Sequence, residues 1–104
     1  MQNTLLQNKF NNEILESIKE TKKIGYSPTR FIIMLHEHNN NAFEVAQKIV
    51  TKNITMGLQE LYKHSRLDLS VEAVIIKPEY KELFSSEIID ICKRKLKRLG
   101  YRIK

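Results

Sequence analysis

Leu67-Asp68-Leu69-Ser70-Val71-Glu72-Ala73-Val74-Ile75-Ile76 is the stretch on which the fold class turns. Leu67, Leu69 and Val71 alternate with polar residues, which is the period of a strand, and β-branched residues follow. Yet Asp68 and Ser70 are both helix-capping types, and a short helix could begin at either and end before Pro78. A lone strand would find no partner elsewhere in the chain, and burying unpaired backbone groups is costly. The stretch is therefore read as helix, and with it the chain as all-α. Three Gly and two Pro leave few breaks to punctuate hairpins, which points the same way.

The flanks fit this reading. A helix from about Thr55 to His64 uses Leu58, Leu61 and Tyr62, with Gly57 weakening its first turn. On the other side, Pro78 to Phe84 reads as one further helical turn. Ser85 then caps a last helix with Glu87 in its first turn, and Gly100 ends it. Earlier in the chain, Leu6, Phe10, Ile14 and Ile18 recur at steps of four across Thr4 to Lys22, and Gly25 stops that helix. Ser27-Pro28 starts a second helix running to about His38. Asn39 to Asn41 forms a turn, and Asn41 caps a third helix with Ala42, Val45, Ala46, Ile49 and Val50 inside. The expected architecture is a compact bundle of five to six short helices. Residues 1–23 form an N-terminal amphipathic helix packed on a helical domain over 24–104, a single domain overall.

At 104 residues, 41% hydrophobic and 29% charged, the chain suits one small globular domain rather than a disordered segment. A formal net charge of +6 favours an acidic partner: nucleic acid, an anionic membrane surface or an acidic protein face. The competing explanation is codon bias, since the Asn, Lys and Ile content fits AT-rich bacterial genomes. The single cysteine, Cys92, excludes an internal disulfide and fits a reducing compartment. No basic leader with an apolar core follows Met1, and no run approaches the roughly 18 apolar residues of a membrane span. A cytoplasmic protein without membrane contact is expected.

The span from Ile24 to Tyr101 contains Gly25-Tyr26-Ser27-Pro28, Phe31, Met34, Gly57, Leu61 and Arg66-Leu67-Asp68-Leu69-Ser70-Val71-Glu72. It continues through Leu83-Phe84 and finishes at Leu99-Gly100-Tyr101. In this pattern the chain resembles a small uncharacterised bacterial helical domain family. The resemblance implies an autonomous helical module, stand-alone or terminal, and carries over no catalytic residues. Where that family has a glycine turn, this chain has Asn39 to Asn41, and asparagine tolerates the left-handed backbone.

The functional signal lies at the C-terminus, where Lys93 to Lys104 holds seven of the eighteen basic residues and no acid. Ile88, Ile91, Cys92, Leu96 and Leu99 are expected inward. Lys93, Arg94, Lys97, Arg98, Arg102 and Lys104 lie outside, as a strip able to track phosphates, and Tyr101 is available to stack on a base. The alternative for the strip is a solvated face satisfying the helix dipole.

Other constellations are weaker. The second and third helices have helix-turn-helix spacing, but Glu44 would face phosphate. His36 and His38 at i,i+2 point apart on a helix, so no metal site is expected. Cys92 reads as a small core residue. Asp68 and Glu72 could serve acid–base chemistry, but the structural reading has Asp68 capping a helix and Arg66 pairing with Glu72. The apolar cluster at Leu69, Val71, Ile75, Tyr80 and Phe84 either belongs to the core or leaves a surplus that could dock a protein partner or a second copy.

The sequence therefore favours a non-catalytic binding module with no cofactor or small-molecule substrate. Nucleic acid is the favoured partner, in support of a nuclease or defence-type system. An adaptor or homodimer docking through residues 69–84 is the alternative. A third class is an enzyme subunit completing an active site with Asp68 or Glu72.

Overall fold

The stretch 67–76 is helical, but in two pieces. The computed structural model describes residues 4–51 and 56–103, and Leu67–Leu69 there is a 3-10 turn while Val71–Ile75 is an α-helix. Ser70 joins them in an extended conformation (φ −73°, ψ 155°). Its Oγ accepts the Ala73 N–H at 3.1 Å and donates to the Leu67 carbonyl at 2.7 Å, satisfying groups at both helix ends. The strand-like alternation is thus two short helical turns hinged on a capping serine. Ser70, not Asp68, is the cap. Asp68 instead receives Arg66 through both oxygens at 3.0 and 3.1 Å, so the expected Arg66–Glu72 pair does not form.

The other helices are α1 (Thr4–Lys23), α2 (Thr29–Glu37), α3 (Ala42–Val50), α4 (Met56–Lys63) and α6 (Ser86–Arg98), with Val71–Ile75 as α5. A second 3-10 turn, Pro78–Tyr80, joins α5 to α6. No strand occurs among the described residues, so the all-α bundle is the observed architecture. α2 begins one residue later than Ser27-Pro28 implies: Pro28 occupies the cap position and no side chain caps the helix. The expected caps Asn41 and Ser85 are in place, accepting the amides of Glu44 and Ile88, each at 3.2 Å. Thr55, the expected start of α4, lies outside the described residues.

Short α5 is the hub. It packs against α6, α1 and α3, and Glu72, Ala73, Val74 and Ile75 are all buried. A helix covered on nearly every side loses the amphipathic pattern of a surface helix, which explains why its sequence is ambiguous. Around it, Phe10, Tyr80 and Phe84 interlock edge to face at 5.3 and 5.1 Å. A second cluster of Leu58, Leu61, Leu67, Ala73 and Leu96 lies under α4 and α6.

Four helices end alike. α1, α2, α4 and α6 each close with a left-handed residue: Gly25 (φ 95°), Asn39 (φ 55°), Ser65 (φ 58°) and Gly100 (φ 83°). Each motif carries the paired bonds of a Schellman turn, as in Ser65 N–H to the Tyr62 carbonyl (3.0 Å) and Arg66 N–H to the Leu61 carbonyl (2.8 Å). Serine gains nothing from the left-handed region, which costs a Cβ-bearing residue about 1–2 kcal/mol. Ser65→Gly relieves that strain, offset in part by the greater freedom of glycine in the unfolded chain. A net gain of about 0.5 kcal/mol is expected as a higher urea midpoint at unchanged slope. An unchanged or lower midpoint would contradict it.

α1 is clamped to the core by a side chain from its polar face. Glu13 accepts hydrogen bonds from Lys77 and from the Tyr80 hydroxyl. Partial burial pushes the Glu13 carboxyl upward, but these bonds, with the charges of Lys77 and Lys9, outweigh it and hold the group below its ordinary 4.5. A carboxyl depressed in the folded state stabilises fully above its unfolded value and loses that contribution as pH falls through its folded value. Wild type should therefore lose stability below about pH 4.5. Glu13→Gln should be less stable by about 1–2 kcal/mol at pH 7, with a flatter acid limb. Parallel acid limbs for the two proteins would show that Glu13 is not held this way.

Candidate functional site

α6 sits against α5 and α3 through Cys92 and Leu96, both fully buried, with Ile88, Ile89 and Leu99 packed beside them. Ile89 was not among the residues expected inside. Nor was Lys95, which is only 8% exposed and donates from Nζ to Glu72 Oε2 at 3.2 Å. The signal was present: Lys95 falls three residues after Cys92 and four before Leu99, in mid-stripe, and Glu72 sits inside an apolar run. Two opposite charges, each centred in an apolar face, are compatible only if they meet.

With Lys95 turned inward, the outer face carries the remaining cations. Arg94, Lys97, Arg98 and Arg102 are exposed and Lys93 is half-buried, while Lys104 lies outside the described residues. Among the described residues, none of these five makes an ion pair or a side-chain hydrogen bond. Eight of the twelve acids are engaged elsewhere, while Glu37, Glu82, Glu87 and Asp90 make no ion pair among the described residues. Glu13, Glu16, Glu20, Glu44, Glu60, Asp68, Glu72 and Glu79 each meet a cationic or histidine partner within 4.0 Å. Asp90 lies four residues before Arg94 but makes no ion pair among the described residues. Arg94 and Arg98 stand one turn apart, about 6 Å along the axis. The negative end of the helix dipole holds Lys97 and Arg98 favourably in the last turn.

Tyr101 also serves the helix end. Its N–H donates to the Leu96 carbonyl at 2.9 Å, and it is half-buried against the cluster of Leu96, Leu99 and Ile103. This is the apolar contact that accompanies a Schellman turn, and it commits the residue to sealing the helix end.

The remaining candidates separate. Ile75, Tyr80 and Phe84 are 0%, 0% and 6% exposed, so three of the five residues proposed for docking are spent in the core. The excess apolarity of that region pays for α5 being covered on every side. The other two, Leu69 and Val71, are half-buried and line a cavity of about 90 Å³ walled also by Ile14, Thr21, Phe31 and Leu58. Asp68 is exposed on Arg66 while Glu72 is buried on Lys95, so the two carboxylates do not share a site. Glu44 binds His38 Nδ1 at 2.7 Å, and Lys48 approaches His38 Nε2 at 3.4 Å. That chain ties up the outer face of α3 that a recognition helix would present. No group of three metal-ligating side chains occurs among the described residues. Burial, with Glu72 nearby and Lys95 opposing, pushes the Cys92 thiol up to about 12, which leaves it protonated and inert at neutral pH. No described helix is long and apolar enough to cross a membrane.

Comparison with protein-family models, with curated proteins and with solved structures found no match.

Proposed function

We propose that this domain is a non-catalytic nucleic-acid-binding module, contacting the phosphate backbone through the outer face of α6 and the turn after it. The observation that carries this reading is the unpartnered state of Lys93, Arg94, Lys97, Arg98 and Arg102 among the described residues, while eight carboxylates elsewhere are engaged. Cations satisfied by neighbours cost binding energy to redirect; unpaired ones release only counterions when they meet phosphate. With Glu44 and Lys48 of α3 engaged by His38, the contacts proposed are to the backbone, and sequence preference is weak. A role beside a nuclease or defence-type system is consistent with a backbone-binding accessory domain.

The test is an amide titration of the isotope-labelled chain with a mixed-sequence single-stranded oligonucleotide and with the matching duplex. Shifts should concentrate at residues 93–102 for at least one of the two. Shifts confined to other surfaces, or none at low salt, would refute the assignment.

A further inference from the structure

Among the described residues, the large hydrophobic side chains left exposed are Leu5 (86%), Leu15 (37%), Ile33 (51%) and Tyr62 (52%). Of these four, Leu15 lines an open groove of about 450 Å³ that runs between α1 and α2. Leu15, Ile18, Ile32 and Leu35 give it apolar walls, and Lys19, Lys22 and His36 stand on its rim. The one acid there is Glu16, which Lys19 already holds at 3.2 Å. Lys22 and His36 make no ion pair or side-chain hydrogen bond among the described residues.

Charge and shape together select the occupant. A second copy seated by two-fold symmetry brings the same rim, whose one carboxylate, Glu16, is already held by Lys19, so it offers Lys22 no free acid. An acidic partner is complementary. Leu35 is only 2% exposed and Ile18 and Ile32 are half-buried, so the apolar surface is recessed below its basic rim. A flat bilayer cannot reach into such a recess, whereas the apolar ridge of a helix can, as in helix-in-groove recognition. We propose that the α1–α2 groove docks an acidic amphipathic helix of a partner protein, independently of the cationic face of α6. The domain then joins a protein to a polyanion.

The probe is a synthetic helical peptide with leucines at i, i+3, i+4 and i+7 and glutamates between them, titrated into the labelled full chain. A matched peptide with lysines in place of the glutamates is the control. The glutamate peptide should shift amides in α1 from Leu15 to Lys22 and in α2 from Ile32 to His36, and the lysine peptide should not. Lys19→Glu with Lys22→Glu, both at exposed positions, should weaken the glutamate peptide about tenfold, with an unchanged helical circular dichroism spectrum. Leu15→Glu should weaken it comparably, and reversing the cations of α6 should leave groove shifts intact. Several outcomes would overturn the proposal. These are equal binding of both peptides, shifts confined to residues 93–102, or a concentration-dependent dimer whose shifts map to the groove. The same groove shifts produced by phosphatidylserine vesicles would also overturn it.

Discussion

Replacing Lys95 with methionine is expected to destabilise the domain by about 3 kcal/mol or more, the usual cost of leaving one partner of a buried ion pair uncompensated. A domain of this size has a total stability of about 5–15 kcal/mol, so the variant approaches unfolding at room temperature. The cause is Glu72, 3% exposed and then without its ammonium partner. A further result identifies that cause. Glu72→Leu combined with Lys95→Met should recover most of the loss, because an apolar pair of similar volume avoids the desolvation of both charges. Denaturant melts of wild type and the two variants decide it. Near-wild-type stability for Lys95→Met alone would mean that α6 does not present Lys95 to α5.

The second large effect is on binding. Reversing Arg94, Lys97 and Arg98 to glutamate should leave the helical spectrum unchanged, since all three are exposed and unpaired among the described residues. Each phosphate contact on a single strand contributes roughly 0.7 of a decade in affinity per decade of salt. Losing three contacts near 0.1 M salt should therefore cost about a hundredfold, and the added repulsion more. Lys9→Glu, Lys23→Glu and Lys63→Glu together remove the same charge from the starting +6, at side chains already paired with Glu79, Glu20 and Glu60. That control should lose far less affinity. Equal losses would assign binding to overall charge rather than to the face of α6.

The fold was legible where helices meet solvent. α1, α3 and α6 announce themselves through apolar spacing, and Asn41, Ser85, Gly25 and Gly100 mark their ends. α5 was hard for a physical reason: covered by α1, α3 and α6, it buries Glu72 along with Ala73, Val74 and Ile75, so no polar face marks its period and only the Ser70 cap remains. Ser65 also escaped notice, because serine carries no preference for the left-handed conformation that it adopts. At the candidate site, the exposed cations were read from the pattern of α6. Lys95 interrupts an apolar stripe, and its partner Glu72 lies 23 residues earlier, so the pair becomes visible only when α5 and α6 meet. With Glu72 taken by Lys95, Arg66 pairs with adjacent Asp68. Of the apolar residues in 69–84, Ile75, Tyr80 and Phe84 belong to the core, which is the reading that needs no partner.

The most direct measurement is the dependence of affinity for a single-stranded oligonucleotide on salt, compared between wild type and the triple reversal at Arg94, Lys97 and Arg98. If the five described cations of the strip contact phosphate, log K should fall against log salt with a slope of about −3.5. The triple variant should retain a slope of only about −1.4. Parallel lines for the two proteins would contradict a phosphate-binding role for α6.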